Sequence, residues 1–114
     1  MAGSDRFRRH ERIRRRAEFQ QVYGHGLRIR GRYITVFVLA NELKVGRLGI
    51  AATKKLGGAA ERNRAKRLIR EVFRRNKIAS GFDVVVVPQR ELLKSTLTAL
   101  EAEYHTIFER RLQR

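Results

Sequence analysis

Apolar and polar residues alternate along the chain with two different periods. In residues 17–23 the apolar positions follow the i, i+3, i+4 spacing of a helix, and two glycines soon afterwards predict its end. Residues 33–40 and 45–53 are rich in β-branched and apolar side chains, which predicts two strands. Within 33–40 the period of two places Phe37 on the opposite face from Val36. Because both faces are largely apolar, we expect both to be covered.

The second half of the chain predicts a long amphipathic helix, a buried strand and a last helix. Residues 59–76 place their apolar side chains on one arc of a helical wheel, namely Ala65, Leu68, Ile69, Val72 and Phe73. The neighbouring arc is polar and almost entirely cationic, with Asn63, Lys66, Arg67, Arg70 and Arg74. The continuous apolar run 82–87 is typical of a strand that is buried on both faces. Apolar residues at helical spacing predict a helix over 96–112.

The predicted order of elements is α-β-β-β-α-β-α, in which two strand predictions are merged or split by the glycines among them. A chain of 114 residues has room for one domain. This order predicts an α+β fold, a single-domain α/β sandwich in which the helices pack on a four-stranded sheet. Residues 1–16 contain seven arginines and only two acidic residues. We therefore expect a flexible basic arm over 1–16 and the folded domain over 17–114.

The charge of the chain is strongly one-sided. Lys and Arg total 27 against 11 Asp and Glu, which gives a formal net charge of +16 at pH 7. A domain with this much positive charge repels itself unless it binds a polyanion. Arginine, the dominant cation here, binds phosphate through two parallel hydrogen bonds. These features favour a nucleic-acid partner over the alternatives, a membrane surface or an acidic protein.

The sequence offers no residues for a self-contained active site. It contains no Cys, which excludes disulfides, thiolate nucleophiles and zinc–thiolate sites and fits a reducing cytosol. The three histidines lack metal-ligand spacing, and Glu101 and Glu103 point to different faces of a helix, so neither a zinc site nor a catalytic carboxylate pair is expected. No apolar run reaches the ~18 residues of a membrane span. The first 16 residues also lack the apolar segment of a secretory signal.

A set of ordered motifs carries the most specific information. The sequence K-K-x-G-x-A over 54–59 is followed by R-N-R-x-K-R-x-x-R-E over 62–71, at the start of the predicted cationic helix. The motif R-x-R-x-x-x-E-F-x-x-V-Y precedes them at 12–23, R-L-G-I lies at 47–50, and F-D-V-V-V-V follows at 82–87. In this order the sequence resembles the protein subunit of bacterial ribonuclease P over about residues 12–108. Residues 17–114 are therefore expected to form an RNA-binding domain of that type.

The resemblance implies a function and a set of partners. The chain is expected to be the non-catalytic protein component of a ribonucleoprotein endoribonuclease that removes the 5′ leader from precursor tRNA. Its expected partners are the catalytic RNA subunit, which uses Mg²⁺, and precursor tRNA. No metal bound by the protein, no membrane and no obligate protein partner is expected, and the expected location is cytoplasmic. The resemblance also implies a left-handed β-α-β crossover, whereas sequence rules alone favour a right-handed one.

The resemblance also implies two sets of binding residues. The RNA subunit is expected to contact Arg62, Asn63, Arg64, Lys66, Arg67 and Arg70. The single-stranded leader is expected in a cleft between the first helix and the sheet, formed by Phe19, Tyr23 and Phe37 with Lys54 and Lys55 at its edge. Independently of the resemblance, single-stranded nucleic acid is commonly held by a basic groove beside aromatic side chains on which bases stack. The alternative is that these aromatic residues belong only to the core.

Two further functions remain open from the residues alone. One is a structural RNA-binding protein of the ribosomal type, and the other is a DNA-binding module with a helix in the major groove. The R-N-R motif favours the ribonuclease P subunit over the ribosomal protein. The DNA-binding module is disfavoured because a loop and a strand, rather than the first helix of a helix-turn-helix pair, precede the cationic helix.

Overall fold

The fold consists of helices packed on both faces of one sheet. The computed structural model describes residues 11–76 and 80–111, the last two of these as backbone only. The elements in chain order are α1 (Arg16–His25), β1 (Leu27–Arg30), β2 (Ile34–Ala40), β3 (Arg47–Ile50), α2 (Ala59–Arg75), β4 (Phe82–Pro88), a 3-10 helix (Arg90–Lys94) and α3 (Leu97–Arg111). The predicted order α-β-β-β-α-β-α is confirmed, and the 3-10 helix is an addition to it. None of the described helices is long and apolar enough to cross a bilayer.

The sheet is mixed, with strand order β1-β2-β4-β3. The β1–β2 and β2–β4 pairs are antiparallel, whereas β3 and β4 are parallel neighbours joined through α2 in a β-α-β crossover. The outer edge of β3 is partly covered by the chain before α1. There Arg12 forms a parallel bridge with Leu48, and the Ile13 N–H donates to the Leu48 carbonyl at 2.9 Å. Residues 1–10 of the predicted arm lie outside the described residues, and its described part includes the buried Ile13.

Each face of the sheet has its own apolar core. The larger core joins α2 and α3 to the sheet, and the buried residues of α2 in it are Ala65, Ile69, Val72 and Phe73. Leu68, predicted for the same arc, is only half-buried, because it lies at the margin of this core rather than beneath the helix. The smaller core joins α1 to the opposite face through Val22 and Val85, with Phe37 packed against them. Both faces of β2 are thus covered, as its pattern predicts.

An ion-pair network fixes α1 on the smaller core. The guanidinium of Arg47 donates from Nε and Nη2 to the two carboxylate oxygens of Asp83 at 2.8 and 2.7 Å, and from Nη1 to Glu18 at 2.9 Å. The hydrogen bonds to Asp83 are the largest cause of an upward shift in the pKa of Arg47. Burial acts to raise the pKa of Glu18, but the N–H donors of Arg15 and Arg14 and the charge of Arg47 outweigh it and lower that pKa. The start of α1 is thereby tied to β3 and β4.

Candidate nucleic-acid interface

A basic groove lies between the chain before α1, the edge of β3 and α2. Its volume is about 790 Å³. Its lining residues are Arg12, Ile13, Arg14, Phe19, Leu48, Ile50, Asn63, Lys66, Arg67, Arg70, Glu71 and Arg74. Six of them are basic and one is acidic, so the groove presents a strongly positive surface. We call it the basic groove.

The basic groove exists because α2 buries one side and exposes another. The arc with Ile69 packs on the sheet, which turns Arg67 and Arg70 outwards, where both are exposed. The acidic Glu71 does not neutralise them, because its carboxylate accepts hydrogen bonds from Arg74 at 2.5 and 3.1 Å and from Arg75 at 3.1 Å. The hydrogen bonds from Arg74 are the main cause of the lowered pKa of Glu71. Arg67 and Arg70 therefore remain available for phosphate.

The residues expected to contact the RNA subunit divide into two groups. Asn63, Lys66, Arg67 and Arg70 line the basic groove. Arg62 and Arg64 do not line it. Arg62 is half-buried. The Nη2 of Arg64 donates a long hydrogen bond of 3.5 Å to the carbonyl oxygen of Ser95, just before the start of α3.

The three aromatic residues expected in the cleft form one cluster. The ring centroids of Phe19 and Tyr23 lie 6.4 Å apart, and the Tyr23 and Phe37 rings meet edge to face at 4.9 Å. Phe19 and Phe37 pack against the smaller core but are only half-buried, and Tyr23 is 39% exposed. Burial raises the pKa of the Tyr23 hydroxyl above its ordinary value. We call these three residues the aromatic cluster; they contribute to the core and also present ring surface to solvent.

Phe19 connects the aromatic cluster to the basic groove, since it belongs to both. Lys54 and Lys55 are exposed in the turn that follows β3, and neither lines the basic groove. Ala51, which precedes that turn in the chain, and Val87 in β4 are half-buried and pack against the smaller core.

Sequence reasoning missed Arg12 and Arg14 as lining residues of the basic groove, and it placed Arg74 on the cationic arc of the helix without including it among the expected contacts. The signal for Arg12 and Arg14 was present in the alternation Arg12-Ile13-Arg14, where a single apolar residue is flanked by cations. Because Ile13 is buried against β3, an extended chain turns both arginines outwards. Among the described residues, no group of three or more His, Asp or Glu side chains could hold a metal ion.

Comparison with known proteins gives the family. The family model described as Ribonuclease P matches residues 7–111, which is most of the chain. The chain belongs to the ribonuclease P protein family. The ribonuclease P protein component of Thermotoga maritima is 42% identical over 91 residues, covering 78% of each chain. That of Clostridioides difficile is 31% identical over 107 residues, covering 91% of this chain and 94% of its own.

Solved structures of ribonuclease P proteins have the same fold. The protein from Thermotoga maritima superposes with a TM-score of 0.79 at 34% identity, covering 88% of this chain and 96% of that one. The protein from Staphylococcus aureus gives a TM-score of 0.79 at 30% identity, covering 90% and 95% of the two chains. The family resemblance, the sandwich fold and the function as the protein subunit of ribonuclease P in tRNA 5′ processing are thereby confirmed. The ribosomal and DNA-binding alternatives are set aside.

Proposed function

We propose that this ribonuclease P protein binds two RNA elements at once, the RNA subunit along the basic groove and the 5′ leader of precursor tRNA across the aromatic cluster. The observation that carries the proposal is the shared residue Phe19, which joins a surface suited to phosphates to a surface suited to bases. A cationic groove beside exposed aromatic side chains is the usual arrangement for single-stranded nucleic acid. One continuous surface can therefore align the leader with the RNA subunit.

The basic groove fits a folded RNA better than it fits isolated bases. Its cations lie along one side of a 17-residue helix and along the chain before α1, so they follow a backbone rather than surround a base. Contacts of this kind position a partner and depend on salt, because each neutralised phosphate releases counterions. We assign the chemistry to the RNA subunit and its Mg²⁺, and binding and positioning to the protein. The proposed place of action is the cytoplasm.

Reconstitution tests the proposal directly. Purified protein is added to a bacterial ribonuclease P RNA and a precursor tRNA at low Mg²⁺, and the rate of 5′ cleavage is compared with that of the RNA alone. We expect the protein to raise cleavage of the precursor and its affinity, and the gain in affinity to grow when the leader is lengthened. An absence of any gain on adding folded protein would contradict the proposal.

A matched pair of variants separates the two surfaces. Arg67→Gln with Arg70→Gln removes two cations from the basic groove, and we expect weaker binding of the RNA subunit with a reduced dependence on salt. Arg90→Gln with Lys94→Gln removes the same charge from exposed positions of the 3-10 helix, outside both the basic groove and the aromatic cluster. If both pairs weaken binding equally, the groove has no special role and only net charge matters.

A further inference from the structure

Strand β1 carries two arginines on the same face of the sheet as the aromatic cluster. In the β1–β2 pairing, Arg28 lies opposite Phe37 and Arg30 lies opposite Thr35. Directly opposed residues of an antiparallel pair project to the same face. Since Phe37 packs with α1, both arginines project towards the α1 face, and both are exposed.

The register of β1 is firmly held, so the two arginines are not free to turn to the other face. Ile29 between them is 5% exposed and belongs to the larger core. A slip of one residue would bury two guanidinium groups and expose Ile29. The carboxylate of Glu103 in α3 also accepts hydrogen bonds of 2.6 to 2.9 Å from the backbone N–H groups of Arg32, Tyr33 and Ile34. These three residues form the end of the β1–β2 connection and the start of β2.

Neither arginine has a carboxylate partner among the described residues, although a third arginine of the same hairpin has one. Arg32 donates from Nε to Glu91 at 2.7 Å, and its guanidinium lies 5.3 Å from the Tyr33 ring centroid. Arg28 and Arg30 are two residues apart on one strand, so their Cα atoms are about 6.7 Å from each other. That is comparable with the distance between successive phosphates of an extended nucleic-acid strand.

We propose that Arg28 and Arg30 form the far wall of the leader cleft and bind the phosphates of leader nucleotides that lie beyond the aromatic cluster. A strand that stacks on Tyr23 and passes Phe37 reaches Arg28 first, because Arg28 is the cross-strand neighbour of Phe37. Arg30 lies one further step along the same face. This inference rests on the proposed function and specifies which residues track the leader backbone and in what order.

The experiment measures the affinity of the reconstituted holoenzyme for precursor tRNAs whose leaders increase in length one nucleotide at a time. The variants are Arg28→Gln, Arg30→Gln and the double variant, with Arg32→Gln as the control, since it removes the same charge from the same hairpin at a side chain that pairs with Glu91. We expect normal affinity for the shortest leaders and a loss that begins at a defined length, later for Arg30→Gln than for Arg28→Gln.

The expected size of the loss follows from counterion release. One phosphate contact on a single strand contributes about 0.7 to the slope of log K against log salt, which is about five-fold in affinity between 1 M and 0.1 M salt. Each single variant should therefore lose several-fold in affinity for long leaders at 0.1 M salt, and its slope should fall by about 0.7. Arg30→Lys keeps the charge and should retain the slope.

Four outcomes are possible, and each one decides the inference. A loss that requires a long leader and spares Arg32→Gln supports the inference. A loss of equal size for mature tRNA, or for the shortest leaders, overturns it and assigns these arginines to the RNA subunit. If Arg28→Gln and Arg30→Gln bind long leaders normally while Tyr23→Ala does not, this inference fails and the proposed function stands. If leader length never changes the affinity of the wild-type enzyme, the proposed leader site itself fails.

Discussion

Truncation of Tyr23 is the sharpest test of the aromatic cluster. Tyr23 lies near the end of α1, with one edge against Phe37 and 39% of its surface exposed. Tyr23→Ala removes this ring but leaves Val22, which is fully buried under α1, in place. We expect a folded variant that binds precursor tRNA more weakly and mature tRNA normally.

Two free energies set the size of the effect. Stacking of one base on an aromatic side chain contributes ~1–3 kcal/mol, which corresponds to a loss of about five- to 150-fold in affinity for the precursor. The loss of the contact with Phe37 costs ~0.5–1.5 kcal/mol of folding stability beyond the lost buried area. Truncation of a fully buried aromatic side chain costs ~3–5 kcal/mol of folding stability, and truncation of Tyr23 should cost less because Tyr23 is partly exposed. The variant should remain folded, since small domains have ~5–15 kcal/mol of stability.

The assay compares the Kd of the holoenzyme for precursor and mature tRNA, with circular dichroism as the control for folding. Tyr23→Phe is the matched variant; it retains the ring and should bind the precursor nearly as well as the wild type. Cleavage at saturating Mg²⁺ and substrate should survive in both variants. An equal loss for precursor and mature tRNA in a folded Tyr23→Ala protein would refute the assignment of Tyr23 to the leader.

Three further predictions concern the groove, the core and the response to alkali. Arg70→Gln should reduce the slope of log K against log salt for the RNA subunit by about 0.9 while leaving the melting temperature unchanged, and filter binding across a salt series checks this. Ile69→Ala should cost ~2–5 kcal/mol of folding stability because Ile69 is fully buried, and Leu68→Ala should cost clearly less. Equal losses of stability in thermal melts would contradict the orientation of α2 on the sheet. Burial, with a smaller contribution from Glu109, raises the pKa of Tyr104 to about 12 from its ordinary 10.0. The unfolded chain therefore loses this proton first, so stability should fall from pH 10 to pH 12 by ~2–3 kcal/mol, and Tyr104→Phe should remove that part of the fall in urea titrations.

Much of the fold was predictable because local patterns and tertiary packing agree. The predicted helix 59–76 and the observed α2 differ by one residue, and the apolar run 82–87 is the strand β4, buried at the centre of the sheet. In both segments the apolar residues occur at the period of the element they form, so burial stabilises the same structure that the local pattern favours. Leu68 is the exception in α2, since it was predicted to be buried and is only half-buried. A helical wheel gives the angular position of a side chain but not the width of the contact between the helix and the sheet.

The candidate site was less predictable because it depends on which strands pair and in which register. The sequence has arginines at 28 and 30 but gives no partner for them, and only the pairing of β1 with β2 brings these two to the α1 face. Tertiary packing also explains why the cations of the R-N-R segment lie on two different surfaces of α2. Arg64 and Arg67 are three residues apart and adjacent on a helix, yet Arg64 approaches Ser95 while Arg67 lines the basic groove. Which of them a partner meets depends on the packing of α3 beside α2.

The connection between the two proposed RNA surfaces depends on one glycine. A Cβ at Gly49 in β3 would lie 2.8 Å from the Phe19 ring and 3.0 Å from Ile13, so any side chain there would displace the residue shared by the basic groove and the aromatic cluster. In the sequence, Gly49 merely interrupts a strand, and a glycine within a strand indicates a bulge or a close approach without naming the partner. The partner is identified only by the position of α1, which the Arg47 network fixes on β3 and β4. The R-L-G-I motif thus contains both the anchor of α1 and the space that Phe19 occupies, which gives a physical reason for an arginine and a glycine at that spacing beside an RNA-binding surface.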